Sequence, residues 1–129
     1  MAINMNQNSA WNLKPIELDS VRNEVTGLLI EGEVPIMAFH SARDQLVFTN
    51  MRVISIDVQG ITGTRKSFGS MPYSKVQYFS IQTPGFGEIF PDSELFLMFS
   101  NGFTATFEFK GGVDIGRIGR VISKFVLSA

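Results

Sequence analysis

The spacing of hydrophobic residues changes along this chain and separates a helical part, an extended part and a second helical part. Residues 1–14 precede them and are polar and rich in Asn, with Trp11 as the only bulky side chain. Terminal segments of this kind are commonly poorly ordered. We therefore expect a flexible N-terminal tail over residues 1–14 and a single folded domain over residues 15–129.

The first helix is predicted over about residues 16–30. Pro15 suits the first turn of a helix, because its fixed φ is helical and its missing N–H is not needed there. Apolar residues then recur every three or four positions from Leu18 to Leu29, which is the spacing of one helix face. Gly32 tolerates a left-handed conformation and can end the helix.

Alternation of apolar and polar residues, which is typical of β-strands, takes over from about residue 34 to residue 110. Seven short strands are predicted there, separated by turns rich in Gly, Pro, Asn and Asp. The clearest hairpin joins "ELFLMFS" to "FTATFEF" through Asn101-Gly102, a pair that matches the turns suited to strand twist. Consecutive strands with short turns and no crossover helices argue against a parallel α/β sheet.

A final helix is predicted over about residues 114–127. Gly111 and Gly112 interrupt the sheet, and the carboxylate of Asp114 can cap the helix that follows. The residues that form the apolar stripe of this helix are Ile115, Ile118, Ile122, Phe125 and Val126.

These elements predict a mainly β protein with a helix at each end. Seven strands with apolar inner faces form either two packed sheets or a partly open barrel. A terminal amphipathic helix can close an open end of such a structure and cover its core. The 12 Phe residues suggest that the core depends on aromatic packing.

Composition excludes several classes of function. The formal net charge of -1 argues against a nucleic-acid binder, which normally carries a basic excess. With no Cys, the chain offers no disulfide, no thiolate nucleophile and no zinc–thiolate site, which fits a reducing compartment. We see no signal-peptide pattern and no apolar run of about 20 residues, so we expect a cytoplasmic protein without a membrane span.

Catalytic and metal-binding patterns are weak. His40, Ser41 and Asp44 are the residue types of a hydrolase triad, but neighbouring strand positions point to opposite faces. A small hydrolase is therefore the least favoured hypothesis. The acidic residues do not form the tight oxygen-rich loop that a hard metal needs, and "GFGEIF" lacks the third glycine of a dinucleotide-binding fingerprint. We expect no metal, no cofactor and no enzymatic activity.

Basic residues offer one candidate binding site. Arg43, Arg52, Arg65 and Lys66 lie near the ends of predicted strands, where they could form a pocket for a phosphate or an anionic lipid headgroup. The alternative is scattered solvated charge, in which each cation pairs with a neighbouring acid.

The stretch "RDQLVFTNMRVISID" favours that alternative for two of these residues. It reads as two strands joined by a tight turn at Thr49–Met51, in which the Asn50 side chain bonds its own backbone. Arg43 and Arg52 then lie close enough to Asp44 and Asp57 to form ion pairs that fix the hairpin.

The loop "PGFGEIFPD" offers a second candidate site. Phe86, Ile89 and Phe90 cannot all be buried easily by so short a Pro/Gly-rich segment. Exposed apolar side chains in a loop indicate contact with a partner, another copy or a membrane. The alternative is that the loop folds back as a lid over one end of the barrel.

Taken together, the element order and the central motif resemble the bacterial pleckstrin-homology-like domain family over about residues 16–128. The shared positions form an "RD…FTN-x-R" signature followed by "D-x-QG-x-TG" and later by "FSIQT-x-G" and "DSEL". They include Gly32-Glu33, Phe39, Arg43-Asp44, Val47-Phe48-Thr49-Asn50, Arg52, Ile54, Ile56-Asp57, Gln59-Gly60, Thr62-Gly63 and Pro72-Tyr73.

The resemblance implies a seven-stranded, partly open antiparallel barrel of two near-orthogonal sheets with a C-terminal capping helix. It also implies assembly into ring-like homo-oligomers and a role that is largely unassigned. The basic motif with which eukaryotic relatives often bind phosphoinositides is absent, because the corresponding hairpin holds only His40 and Arg43.

Our preferred hypothesis is therefore a non-enzymatic interaction module that self-associates, with an unknown protein partner. The alternative is a peripheral module that makes a weak contact with anionic membranes.

Overall fold

The computed structural model describes residues 3–4, 9–87 and 91–129. Its two α-helices are α1 (Asn23–Thr26) and α2 (Ile115–Leu127). The strands are β1 (Ile3–Asn4), β2 (Ser9–Ile16), β3 (Pro35–Ser41), β4 (Asp44–Thr49), β5 (Arg52–Gln59), β6 (Arg65–Pro72), β7 (Val76–Gln82), β8 (Ser93–Phe99) and β9 (Thr104–Phe109).

One hydrogen-bonded path joins the strands in the order β6-β5-β4-β3-β2-β9-β8-β7, with β1 beside β2. Neighbouring strands are antiparallel except for β2 and β9, which are parallel. Strands β6 and β7 end the path and are not paired with each other, so the sheet stays open. The prediction of seven strands between residues 34 and 110 is confirmed by β3–β9. The partly open barrel is confirmed, but the two predicted near-orthogonal sheets are joined into one hydrogen-bonded path by β2.

The predicted first helix is wrong, and the predicted flexible tail is wrong for residues 9–14. Residues Ser9–Ile16 form β2, which pairs with β3 on one side and β9 on the other, and its Ala10 and Leu13 side chains are buried. Beyond it, the chain makes only a 3-10 turn at Leu18–Ser20 and the four-residue helix α1.

Packing explains why helical spacing was misleading in this segment. Val21 and Val25 are four residues apart, as on a helix face, but they pack with apolar side chains of the outer surface of the first half of the sheet. That contact needs only two anchor points and no continuous helix. Tertiary packing of this kind routinely overrides local propensity.

The main core fills the inside of the barrel and is rich in phenylalanine, as expected. Phe39 contacts Phe109 at a ring-centroid distance of 4.8 Å and Phe48 at 5.8 Å, both edge to face. Phe107 is buried beside Phe48 in the same cluster. These contacts join side chains from β3, β4 and β9, so they hold the two halves of the sheet together.

Helix α2 confirms the C-terminal prediction. Asp114 caps it, since its Oδ1 accepts a hydrogen bond of 3.0 Å from the backbone N–H of Arg117. Ile115, Ile118 and Ile122 are buried in the main core, and the helix lies against β7 and β8. In the described residues, no helix is long and apolar enough to cross a membrane.

Because β2 contributes to the main core, we predict that Leu13→Ala strongly lowers the stability of the protein. Leu13 is fully buried in the main core, so removing its side chain leaves a cavity and should lower the free energy of unfolding by roughly 2–5 kcal/mol. The neighbouring Lys14 is exposed, and Lys14→Ala should change it by no more than about 0.5 kcal/mol. Urea denaturation measures both; equal stabilities of the two variants would contradict a structural role for β2.

Candidate functional site

The central motif contains a buried ion pair whose acidic member was not the predicted one. The Nε of Arg52 lies 2.9 Å from Oε2 of Glu33, and its Nη2 donates to Oε1 at 3.0 Å. Arg52 also donates to the carbonyl of Leu28 at 2.9 Å and to Oγ of Ser70 at 3.0 Å. The predicted pairing of Arg52 with Asp44 or Asp57 is therefore wrong, and the guanidinium instead fixes residues 28–33 against β5 and β6.

Glu33 is held ionised by its surroundings, although its side chain has 0% exposure. Burial alone would raise the pKa of Glu33. Hydrogen bonds from Arg52, Thr49 and the backbone N–H of Ile30 outweigh burial and lower the pKa below its ordinary value of 4.5. The Thr49 hydroxyl donates to Oε2 at 2.7 Å.

The turn beside this pair is locked by side chains. Asn50 accepts a hydrogen bond from the N–H of Val34 at 2.8 Å and donates to the carbonyl of Gly32 at 3.0 Å. It thus bonds a distant loop, and the prediction that it bonds its own backbone is wrong. Tyr73 donates its hydroxyl to the carbonyl of Thr49 at 2.7 Å. Burial, followed by the charge of Glu33, raises the pKa of Tyr73 and keeps this donor protonated.

The four basic residues predicted to form an anion pocket do not converge. Arg43, Arg65 and Lys66 lie at the end of the sheet where β5 leads into β6. Arg52 begins β5, seven residues before Gln59, so it lies about 23 Å away at the rise of an extended strand. Any anion site in this region would therefore lack Arg52.

Two of the three remaining basic side chains already bond other groups of this chain. Arg43 donates to the carbonyls of Gly60 at 2.7 Å and Val58 at 3.4 Å, which orders the turn between β5 and β6. Lys66 lies 3.3 Å from the carboxylate of Glu24. Arg65 is exposed, and its side chain forms no hydrogen bond or ion pair with any described residue.

The residues of the hydrolase hypothesis are not assembled into a triad. Ser41 lies directly opposite Asp44, and both are buried on one face of the β3–β4 pair. His40 lies opposite Gln45, so it points to the other face. Among the described residues, no group of three or more His, Asp or Glu side chains could hold a metal ion.

The most unusual surface lies at the two free edges, by which we mean the outer edges of β6 and β7. Tyr78 is 53% exposed, and Phe68 and Ile81 are exposed as well. An open cleft of about 580 Å³ adjoins this gap in the barrel, and its lining combines apolar side chains such as Met71 and Phe103 with the polar side chains of Lys75 and Asn101.

Sequence reasoning placed these aromatic residues in strands and did not predict their exposure. The available signal was in β7, which carries Tyr78 and Ile81 on opposite faces, so that each face of this strand holds a large apolar side chain. In the loop after β7, Phe86 is fully exposed, as its predicted role in a contact requires. Ile89 and Phe90 lie outside the described residues.

Comparison with known proteins agrees with this architecture. The model of the bacterial PH domain family matches residues 4–126. The chain belongs to that family.

Relatives of this bacterial PH domain include proteins without an assigned role. The uncharacterized protein YjqA of Bacillus subtilis (strain 168) is 40% identical over 84 residues, which cover 65% of this chain and 66% of YjqA.

Two solved structures share both sequence and fold. A DUF1696 family protein with a pleckstrin-homology domain from Shewanella loihica PV-4 is 33% identical, with a TM-score of 0.77 over 91% of this chain and 99% of that chain. A pleckstrin homology domain from Shewanella amazonensis SB2B is 32% identical, with a TM-score of 0.65 over 86% of this chain and 89% of that chain. The expected pleckstrin-homology-like fold is thereby confirmed.

Removing the Arg52 side chain should destabilise the PH domain before it affects any binding. Arg52→Ala leaves the Glu33 carboxylate buried without its cation, and we expect a loss of roughly 3 kcal/mol in the free energy of unfolding. Lys14→Ala is again the control, because the Lys14 side chain is exposed and forms no hydrogen bond or ion pair with any described residue, and it should leave the melting temperature nearly unchanged. An Arg52→Ala variant as stable as wild type would show that the pair is not structural.

The lowered pKa of Glu33 predicts a defined dependence of stability on pH. Because the folded-state pKa lies below the unfolded value, the ionised carboxylate contributes its full stability above about pH 4.5 and loses it as the pH falls through the folded-state pKa. Urea unfolding between pH 7 and pH 3 should show a smaller acid loss for Glu33→Gln than for wild type. Exposed Glu31→Gln should follow wild type; an unchanged acid loss in Glu33→Gln would contradict this account.

Proposed function

We propose that this bacterial PH domain is a non-enzymatic interaction module that self-associates head to tail as a ring-like homo-oligomer. The observation that carries the proposal is the open sheet, whose path ends at two free edges with exposed apolar side chains. A strand at a sheet edge presents unpaired N–H and C=O groups, which form a template for pairing with another chain. The free edge of β6 in one copy can therefore pair with the free edge of β7 in the next.

Strand β7 lacks the usual protection of an edge. Natural edge strands avoid association by carrying charged residues or proline, or by being covered. From Val76 to Gln82 the sequence "VQYFSIQ" contains neither a charge nor a proline. Tyr78 and Ile81 leave apolar surface on both faces of this strand. We infer that a neighbouring copy covers β7 in the assembled state.

The position of the edges favours a ring over a simple dimer. Strands β6 and β7 are different surfaces at opposite ends of the sheet path, so a contact between β6 of one copy and β7 of the next is heterologous. Such a contact leaves one free β6 and one free β7 at the ends of every chain of copies. Repetition closes into a ring when the rotation between copies permits it. The family resemblance implies the same kind of assembly.

The anionic-headgroup alternative has less support. Of its four candidate residues, Arg43, Arg52 and Lys66 already bond groups of this chain. A headgroup would have to compete with those contacts, whereas association through β6 and β7 uses groups that are free in the described residues.

A lysine at the exposed edge should prevent assembly. Tyr78→Lys places a charge in the middle of β7, where a neighbouring copy would have to bury it. Size-exclusion chromatography with light scattering should give a multiple of the 14.3 kDa chain mass for wild type and the mass of a single chain for Tyr78→Lys.

Leu18→Lys is the matched control, because Leu18 is also exposed and lies in the 3-10 turn that contacts β3, a strand in the middle of the sheet path. It should retain the mass of the wild-type assembly. A wild-type protein that stays monomeric at high concentration would contradict self-association, and an assembly unaffected by Tyr78→Lys would contradict the use of β7.

A further inference from the structure

The open cleft beside the gap between β6 and β7 has the volume and the lining of a binding site for a small molecule. We propose that it binds a small amphipathic carboxylate, one molecule per chain. The apolar body of this ligand contacts Met71, Phe99 and Phe103. Its carboxylate lies between Lys75 and Asn101. The volume of about 580 Å³ falls within the range of about 300–1,000 Å³ that is typical of ligand pockets.

The apolar part of the cleft is formed by side chains of the barrel interior. Phe99 and Phe103 lie at the two ends of the β8–β9 turn, in edge-to-face contact with ring centroids 5.6 Å apart. Phe103 is half-buried, and Met71 of β6 belongs with Phe99 to the main core. Methionine is flexible and adapts to the shape of its neighbours. An apolar ligand would thus remove the exposed parts of these side chains from water.

A glycine keeps the cleft open next to Met71. Gly69 lines the cleft and lies on the same face of β6 as Met71, two positions away. A Cβ atom at position 69 would approach the Oγ of Ser55 to 2.7 Å, which requires some atom to move. A larger residue is therefore disfavoured there, and no side chain at this position fills the space beside Met71.

Two polar side chains lie together at the end of the cleft where β6 leads into β7. The backbone N–H of Ser100 donates to the carbonyl of Lys75 at 2.8 Å, which holds the β8–β9 turn beside Lys75. The Lys75 side chain is exposed and forms no ion pair with any described residue. Its ammonium group is therefore available to a ligand in the cleft.

Asn101 supplies an oriented donor at the same place. Its Oδ1 accepts a hydrogen bond of 3.0 Å from the backbone N–H of Phe103, and this bond determines which way the amide faces. The NH₂ group of Asn101 bonds no described residue, and the side chain is exposed. An ammonium and an amide NH₂ are both donors, and a carboxylate accepts hydrogen bonds from both.

The charge of the lining favours a carboxylate over other head groups. Among the described residues that line the cleft, Lys75 is the only charged one. One ammonium balances the single charge of a carboxylate. A phosphate carries more charge and is typically bound by several cations or by the fork of an arginine. A cationic amphiphile would meet Lys75 without an acidic side chain to pair with.

Binding in the cleft goes beyond the proposed self-association and does not depend on it. Gly69 and Met71 face the ligand from the inner face of β6. The backbone groups with which β6 would pair with another copy lie along the edge of the strand instead. Occupation of the cleft and pairing of the edges therefore use different groups, and each can be measured without the other.

Calorimetric titration of the full chain with decanoate tests the proposal, at concentrations below those at which the amphiphile aggregates. Wild type should bind one decanoate per chain. Acetate has the same carboxylate without the apolar body and should show no measurable binding. Decylammonium has the same apolar body with the opposite charge, and it should bind roughly tenfold or more weakly than decanoate.

Asn101→Asp tests the polar end of the cleft with little change in shape. The new carboxylate can still accept the hydrogen bond from Phe103, so the turn is retained. It replaces the NH₂ donor by a negative charge and should weaken decanoate binding about tenfold or more. Asn23→Asp is the matched control, since it makes the same charge change at an exposed position of α1, outside the cleft.

Lys75→Gln tests the cation. It should weaken decanoate binding about tenfold, which is the effect of losing one charge-assisted hydrogen bond. Lys14→Gln removes an exposed lysine that does not line the cleft and should leave the affinity unchanged. Methyl NMR locates the ligand, because decanoate should shift the methyl signal of Met71. The signal of Met37, which is also buried in the main core but does not line the cleft, should not shift.

Several results would overturn the proposal. The first is a wild type that does not bind decanoate. The second is an affinity that neither Asn101→Asp nor Lys75→Gln reduces, and the third is equal binding of decanoate and decylammonium. Acetate that binds as tightly as decanoate would likewise overturn the role of the apolar wall. Thermal unfolding of each variant shows that a loss of binding does not come from misfolding.

Discussion

Strand β2 joins the two halves of the sheet, and most of the architecture depends on this link. Its first part pairs in parallel with β9 between Ser9 and Leu13, and its last part pairs antiparallel with β3 from Lys14 to Ile16. Without β2, the halves β3–β6 and β7–β9 would be separate sheets, each with two edges of its own. With β2 between them, the two halves form one path, and in the part of the chain that the structure describes β6 and β7 are the strands at its two ends. The strand that completes the core thus also determines which backbone groups remain available for another molecule.

The ion pair of Glu33 and Arg52 has a different role. It lies at the start of β5, at the end of the strand that is farther from Arg65. It ties residues 28–33 to the sheet with hydrogen bonds that satisfy both carboxylate oxygens. A buried charge is tolerated only when it is paired in this way. The motif that first looked like a binding site is therefore scaffold, and the residues proposed to contact another copy or a ligand lie outside it, in other strands and turns.

Local pattern predicted those parts of the fold in which neighbouring residues determine the structure. Strands β3–β9, the Asn101-Gly102 turn and the Asp114 cap were predicted from residues close in sequence, and the structure has all of them. The first helix was mispredicted because Val21 and Val25 are spaced as on a helix but are placed by a distant sheet surface.

The candidate sites were less predictable for a related reason. Arg43, Arg52, Arg65 and Lys66 were recognised as lying near strand ends, but a sequence does not show which end of the barrel each one occupies. Nor does it show that Glu33, 19 residues before Arg52, is the partner of that arginine. The cleft depends on the contact of the β8–β9 turn with Lys75, which becomes visible only once the strands are paired.

The claim that copies of this domain join through β6 and β7 is tested most directly by hydrogen exchange at increasing protein concentration. The amides of β6 and β7 that point away from β5 and β8 should exchange quickly in dilute solution and become protected as concentration rises, because a strand of a neighbouring copy then accepts their hydrogen bonds. Amides of β4, which is paired on both sides within one chain, should not change. Exchange in β6 and β7 that is independent of concentration, in a protein that remains a monomer, would contradict the account.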